Sequence, residues 1–347
     1  MGGLVRISRL IDNGKTNDGH LLLLLGMPAS PKYSVVVPVF NRPDEMEELL
    51  QSLVKQTFRD FEVIVVEDGS QKTSEGVCRE FESTLDIHYL YKANSGPGPS
   101  RNFGFEKARG MYMVVVDSDC ILPPEYFSVV EKFLSTHPVD AWGGPDKGHE
   151  NFTPLQQAMA YTMSSILTTG GIRGAKNHAT NFQPRSFNMG LSRRVLEKTG
   201  GFAFDRLAED IELSIRMKKA GFRVALIPEA FVYHKRRTNL GQFFNQVQGF
   251  GKGRARVGKV HKEEVRLTHW LPFIFLLGLM TIPFIVFFDV RMGLVGILLL
   301  GFYLTAIFID GWRVTRSLWI GLLAIPSAVI QITGYGLGFI KEKLKHG

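Results

Sequence analysis

The chain has 347 residues, room for roughly two domains, with 45% hydrophobic residues and a formal net charge of +8. Cys78 and Cys120 are its only cysteines, which excludes a disulfide framework and a cysteine-based zinc site and fits a reducing compartment. The positive charge is concentrated: Lys235, Arg236, Arg237, Lys252, Arg254, Arg256, Lys259, Lys262 and Arg266 are opposed only by Glu263 and Glu264, just ahead of the first long apolar run. That position fits an anionic membrane surface and speaks against nucleic acid as the partner.

Residues 1–31 hold an apolar run, 21–25, far too short to cross a bilayer, and are expected to form a loose arm rather than a signal peptide. Residues 33–40 (YSVVVPVF) suit a strand covered on both faces. Asn41 and Arg42 then offer a cap, and Pro43 opens a helix carrying Met46, Leu49, Leu50 and Leu53 at helical spacing. A second buried strand, 61–66, runs into Glu67-Asp68-Gly69-Ser70; a helix through Cys78 and Phe81 and a strand at 87–91 continue the alternation. After a turn rich in glycine and proline comes a helix to about Ala108.

Residues 111–122 (MYMVVVDSDCIL) organise the rest. Met113 to Val116 read as a buried strand that delivers Asp117 and Asp119 at its end. With no Lys or Arg within five residues, two such carboxylates repel; a hard divalent ion bound through oxygen would relieve this and could bridge a diphosphate. Capping of a helix starting near Pro123 is the alternative use of Asp-Ser-Asp.

Strands alternating with helices predict a mostly parallel sheet wrapped on both faces, with ligands at the carboxyl ends of its strands. Three of the four strand ends carry polar or acidic turns, Asn41-Arg42, Glu67-Asp68 and Asp117-Asp119, so one shared site is expected there. Further on, the pattern predicts a short strand and turn at 141–144, a helix at 155–167, an aperiodic loop at 170–183 over the site, and an extended segment at 186–191. A short helix at 193–198 closed by Gly200-Gly201, a helix at 210–220 stopped by Gly221, and short strands at 224–227 and 231–233 follow.

Three uncharged runs, 270–288, 292–309 and 318–340, match the thickness of a bilayer's hydrocarbon core. The basic flank before them favours the cytoplasmic side. Three full crossings would separate Lys341, Lys343 and Lys345 from Arg313 and Arg316, against the usual bias. One run is therefore expected to be re-entrant or interfacial, with Pro283 or Pro326 as the break.

In order, VVVPVFNR (35–42), VVEDGS (65–70), NSGPGPSRNFG (94–104), VVVDSD (114–119) and AEDIELSIR (208–216) resemble the glycosyltransferases of family 2. The resemblance implies an α/β GT-A fold over 32–238, followed by a basic juxtamembrane segment (239–268), a transmembrane region of two to three spans (269–341) and a tail (342–347). It also implies transfer of a sugar from a UDP- or GDP-sugar to a glycan or lipid-linked acceptor hydroxyl, with Mn2+ or Mg2+ and inversion at the anomeric carbon. The protein would sit in the cell membrane as a multi-pass protein with its catalytic domain in the cytoplasm.

By the same resemblance Asp68 would contact the base, with Pro38, Asn41, Arg42 and Gly96 lining the donor site and Arg101 adding a cation near base or diphosphate. Glu67 would belong to the donor site too, but it departs from the commoner Asp-Asp form and keeps the charge at longer reach, which speaks against a direct ribose contact. Asp119 would ligate the metal, Asp117 would touch ribose or metal through water, and His234 would be a third ligand. Asp210 at a helix N-terminus would be the base that activates the acceptor, and Glu209 beside it would contact the substrate.

Processive synthases of this family carry Gln-x-x-Arg-Trp on the helix after the core. Residues 242–250 (QFFNQVQGF) have neither the Arg nor the Trp, which argues against a translocating synthase. Gly249, Gly251 and Gly253 among Lys252, Arg254 and Arg256 are expected to make a flexible basic stretch near the diphosphate or the lipid surface. A non-catalytic sugar-nucleotide-binding membrane protein is disfavoured by the intact acidic set. A nucleotidyltransferase is disfavoured because no Gly-rich, Lys-containing phosphate loop follows the first strand.

Overall fold

A computed structural model describes residues 30–147, 152–169, 182–235 and 237–345. The expectations for the arm at 1–31 and the loop at 170–183 therefore lie almost wholly outside the described residues. The first half is built from β1 (Tyr33–Val39), α1 (Pro43–Val54), β2 (Phe61–Asp68), α2 (Glu75–Phe81), β3 (Ile87–Lys92), α3 (Pro97–Lys107) and β4 (Tyr112–Val116). β1, β2, β3 and β4 pair in parallel, with Val35 opposite both Val63 and Val114.

Alternate strand residues point to opposite faces, so two cores result. Val35, Val37, Val63 and Val65 pack with Leu49, Leu50, Phe127 and Trp142 on one side. On the other, Val36, Ile64, Val66 and Val115 pack with Phe105, Met189 and Leu213. Continuous apolar strands are what a sheet covered on both faces requires.

After β4 come β5 (Cys120–Ile121), α4 (Tyr126–Thr136), β6 (Ala141–Gly143), β7 (Asp146–Lys147), α5 (Pro154–Ser164), α6 (Ile166–Thr169), β8 (Asn188–Ser192), α7 (Arg193–Thr199), α8 (Glu209–Lys219), β9 (Val224–Leu226) and β10 (Val232–His234). The main sheet runs β3-β2-β1-β4-β8-β6-β9, with β8 antiparallel to both neighbours. A small sheet, β5-β10-β7, sets His234 opposite Cys120 and so brings it beside the acidic turn. The single helix expected at 155–167 is broken at Ser165, where the backbone is extended.

α9 (Leu240–Val260) is one continuous helix, which overturns the expected flexible stretch. Its glycines serve close approach instead: a Cβ on Gly251 would stand 2.1 Å from the Tyr335 carbonyl oxygen, and one on Gly253 2.9 Å from the Ala208 Cβ. Then follow α10 (Leu271–Phe288), α11 (Val290–Thr315) and α12 (Leu318–Lys343), each long and apolar enough to cross a membrane. Neither Pro283 nor Pro326 breaks its helix. None of α10 is buried and 11% of the apolar stretch of α11, but half of that of α12 is, because α9 and α5 pack along it.

Candidate active site

The carboxyl ends of β1, β2 and β4, the N-terminus of α8 and the end of β10 open onto one cavity of about 2490 Å³. Pro38, Arg42, Asp68, Arg101, Asp117, Asp119, Glu209, Asp210 and His234 all line it. Asn41, Glu67 and Gly96 do not line it.

Asn41 and Glu67 hold the loops behind the cavity. Asn41, in the left-handed region at φ 54, accepts from the backbone N–H of Gln71 (2.8 Å) and Lys72 (3.1 Å), tying the β1–α1 turn to the β2–α2 turn. The N-cap of α1 is Arg42 rather than Asn41, and it makes no side-chain cap. Glu67 precedes Asp68 in β2 and therefore faces the other way. Fully buried, it accepts from the Ser74 N–H (2.7 Å), the Ser70 hydroxyl and the Tyr89 hydroxyl (3.3 Å), and so holds the β2–α2 turn rather than lining the cavity.

Asp68 clasps the glycine-rich turn. Its Oδ1 accepts from Lys92 Nζ and the Ser95 N–H, and its Oδ2 from the Gly96 N–H, each at 2.9 Å. Burial pushes this carboxyl up, but these hydrogen bonds outweigh it and hold Asp68 below its ordinary value. Gly96 sits at φ 101, and a Cβ there would lie 2.8 Å from the Asp205 carbonyl oxygen, so glycine is required on both counts.

The two carboxylates of the acidic turn are not unpaired. Arg42 Nη1 donates to Asp119 Oδ2 at 2.5 Å, and Arg101 Nη2 to Asp117 Oδ1 at 2.8 Å. The repulsion read from the local sequence is thus relieved by arginines that only the fold brings near, and a cation is not needed for that purpose.

Fit to a metal rests on other geometry. Asp119 Oδ1 and His234 Nε2 stand 3.2 Å apart and, with Cys120, form a group able to hold an ion. Adjacent ligands around an octahedral ion with bonds of about 2.1 Å are about 3 Å apart, so oxygen and imidazole here suit Mn2+ or Mg2+. The Cys120 thiol is pushed well above its ordinary value by burial and by Asp117 and Asp119, which keeps it a poor ligand. Asp117, held by Arg101, lies outside this group.

Arg101 is fully buried and joins the acidic motifs: its Nη1 donates to Glu209 Oε1 at 2.8 Å while Nη2 holds Asp117. Burial, with the neighbouring Asp210, pushes the Glu209 carboxyl up against the pull of Arg101.

Two features escaped the sequence reading. Arg185 Nη1 lies 3.6 Å from Asp210 Oδ2, across β8 and α7. Leu207 and Ala208 both adopt the left-handed region, at φ 60 and φ 63, immediately before Glu209-Asp210. Such strain costs about 1 kcal/mol or more per residue and persists where packing over-determines it, as Gly249 and Gly253 of α9 do here by leaving room for those two side chains. Neither residue is a glycine, so nothing in the chain signals the turn.

Residues 34–200 match the family described as glycosyl transferase family 2. "Glycosyltransferase GlyA" of Streptococcus pneumoniae is 34% identical over 116 residues, 33% of this chain and 16% of that protein. An uncharacterized glycosyltransferase, EpsJ of Bacillus subtilis, is 26% identical over 217 residues, 60% of this chain and 62% of its own length. The chain thus spans less than two thirds of either relative. Among solved structures, mannosyltransferase PcManGT from Pyrobaculum calidifontis, in complex with GDP-Man and Mn2+, superposes with a TM-score of 0.61 over 87% of both chains at 17% identity, a likeness of fold. Residues 34–200 are thus similar to the glycosyl transferase family 2 domain, and the strand order and the structural likeness show a GT-A-like fold.

Proposed function

We propose that the protein is a membrane-anchored, metal-dependent, inverting glycosyltransferase that moves one sugar from a nucleotide-diphospho-sugar to a lipid-linked acceptor at the cytoplasmic face. The observation that carries this reading is the single cavity onto which Asp68, Asp119 and Asp210 all open, from three distant parts of the chain, and which continues to the apolar helices through Phe275 and Tyr303. Asp68, with the glycine turn it clasps, receives the base. Arg42 and Arg101 fix the two carboxylates of the acidic turn beside the diphosphate. Asp119 and His234 would hold Mn2+ or Mg2+, which would supply positive charge beside the departing nucleoside diphosphate. Asp210 accepts the acceptor proton from the far side of the sugar, where Arg185 orients its carboxylate, and attack from that face inverts the anomeric centre.

For the membrane arrangement, we read α10 and α11 as a hairpin that crosses and returns, and α12 as a helix whose two ends both lie on the catalytic side. Near its N-terminal end Ala324 packs with Tyr161 of α5. At its C-terminal end Lys259 of α9 donates to the Lys345 carbonyl oxygen at 3.1 Å and stands 3.8 Å from Glu342. This arrangement keeps Arg313, Arg316, Lys341, Lys343 and Lys345 on one side, as the positive-inside bias favours.

The test is turnover of a panel of UDP- and GDP-sugars by the full chain with Mn2+, GDP-mannose first. Asp119→Asn and Asp210→Asn are each expected to lower the rate by about 100-fold or more. Chelation is expected to abolish turnover and added Mn2+ to restore it. Wild-type-like turnover in either variant would remove the mechanism.

A further inference from the structure

Between α7 and α8 the chain passes across the glycine-rich turn, and Asp205 and Arg206 are pinned there from two sides. The Gly98 N–H donates to the Asp205 carbonyl oxygen at 3.0 Å. From α9, Arg256 donates to the Asp205 carboxylate at 2.6 Å and to the Arg206 carbonyl oxygen at 2.9 Å. The Arg206 side chain is thereby laid over Gly96. A Cβ on Gly96 would stand 2.9 Å from Arg206 Cγ and 3.0 Å from its Nε, so glycine leaves the space this stem fills. Arg206 Nη2 then donates to Asn94 Oδ1 at 2.5 Å, and Asn94 Nδ2 to the Asp68 carbonyl oxygen at 2.7 Å. Arg206 is exposed and lines the cavity with Asp68, Asn94 and Pro97.

An ionised Asp68 can only accept, so it can meet a ring N–H of a base but not a carbonyl oxygen. The neighbouring cations are committed elsewhere. Lys92 has three N–H groups and three partners: Asp68 Oδ1 at 2.9 Å, the Ala93 carbonyl oxygen at 2.8 Å and the Ser95 hydroxyl at 2.5 Å. Arg101 is turned to Asp117 and Glu209. Arg206, by contrast, carries five N–H groups, and among the described residues its side chain has Asn94 as its hydrogen-bond partner and no carboxylate in ion-pair reach. It therefore brings spare donors to the end of the cavity where Asp68 lies.

We propose that Arg206 selects the donor nucleotide by donating to the carbonyl oxygen of a keto base, uracil or guanine, whose adjacent ring N–H is taken by Asp68. The inference rests on the glycosyltransferase reading above, in which Asp68 receives the base, and adds the residue that discriminates between bases. Uracil and guanine set a ring N–H beside a carbonyl; cytosine and adenine set a bare ring nitrogen beside an amino group. With either of the latter, lone pair meets carboxylate and N–H meets guanidinium, leaving both protein groups unmatched.

The test is calorimetric titration of the full chain, purified in detergent, with UDP, GDP, CDP and ADP, each with Mn2+. The wild type is expected to bind UDP or GDP about tenfold or more tightly than CDP and ADP. Arg206→Ala is expected to weaken the tighter of UDP and GDP about tenfold, the scale of one lost hydrogen bond from a charged donor, and to leave CDP and ADP as they were. Arg206→Lys, which keeps the charge without the fork, is expected to recover part of the loss. Because the side chain is exposed, Arg206→Ala is expected to melt as the wild type does.

Unchanged UDP and GDP affinity in Arg206→Ala overturns the proposal. So does an equal loss for all four nucleotides, which would mark a cation acting on the diphosphate or on the fold, and so does wild-type CDP or ADP binding as tight as that of UDP and GDP. Each of these leaves the transferase reading standing where a sugar nucleotide is turned over. No nucleotide binding together with no donor turnover by the wild type overturns the transferase reading itself, and this inference with it.

Discussion

Arg101 binds Asp117 and Glu209 at 2.8 Å each and sits over the Phe202 ring at 5.2 Å, so one buried cation serves two acids that the chain places far apart. Removing it would leave Glu209 buried and unpaired. Arg101→Ala is therefore expected to destabilise the domain by about 3–5 kcal/mol, read from chemical denaturation. Arg101→Lys is expected to recover only part of this, since a point charge cannot bridge both carboxylates. At Asp68 the sign of the pH dependence follows from a folded pKa held below the unfolded one. The stabilisation is fully present above the unfolded value and is lost as pH falls through the depressed folded value. Melting temperature measured across acid pH is expected to fall less steeply in Asp68→Asn than in the wild type.

Among the elements, α9 has the widest consequences because it touches both the strained turn before Asp210 and the membrane-facing α12. The contact is close enough that backbone meets backbone: Cβ atoms on Gly251 and Gly338 would each lie 2.1 Å from a carbonyl oxygen of the other helix. Gly251→Val is expected to cost about 1–3 kcal/mol or more through overpacking, seen as a lower melting temperature. Because Gly249 and Gly253 of the same helix receive Leu207 and Ala208, its turnover is expected to fall as well. The parallel strands, in contrast, follow directly from their apolar runs: 33–40 and 61–66 are legible as strands because one covered on both faces needs no alternation, and the second extends two residues further, to Asp68.

For the molecule as a whole, the placement of α12 decides which side its C-terminus faces. On the proposed arrangement, with both ends of α12 on the catalytic side, a cysteine introduced as Lys345→Cys in intact, sealed cells is expected to be shielded from a membrane-impermeant thiol reagent and labelled once the cells are opened. Labelling in sealed cells would restore three full crossings. Phe287, Phe288, Leu298 and Phe302 of α10 and α11 are largely exposed, an apolar surface that suits a bilayer.

The amino-acid sequence alone determined what depends on near neighbours: the order of strands and helices, the length of the three apolar runs, and the acidic and glycine-rich strand ends that mark the domain. Only the tertiary structure decided which charges meet. Arg42 reaches Asp119 across 77 residues and Arg185 reaches Asp210 across β8 and α7, while Glu67 and Asn41 turn to hold loops instead of lining the cavity. The physical reason is that pairing energy depends on distance in space, and a local window of sequence holds only the distance along the chain.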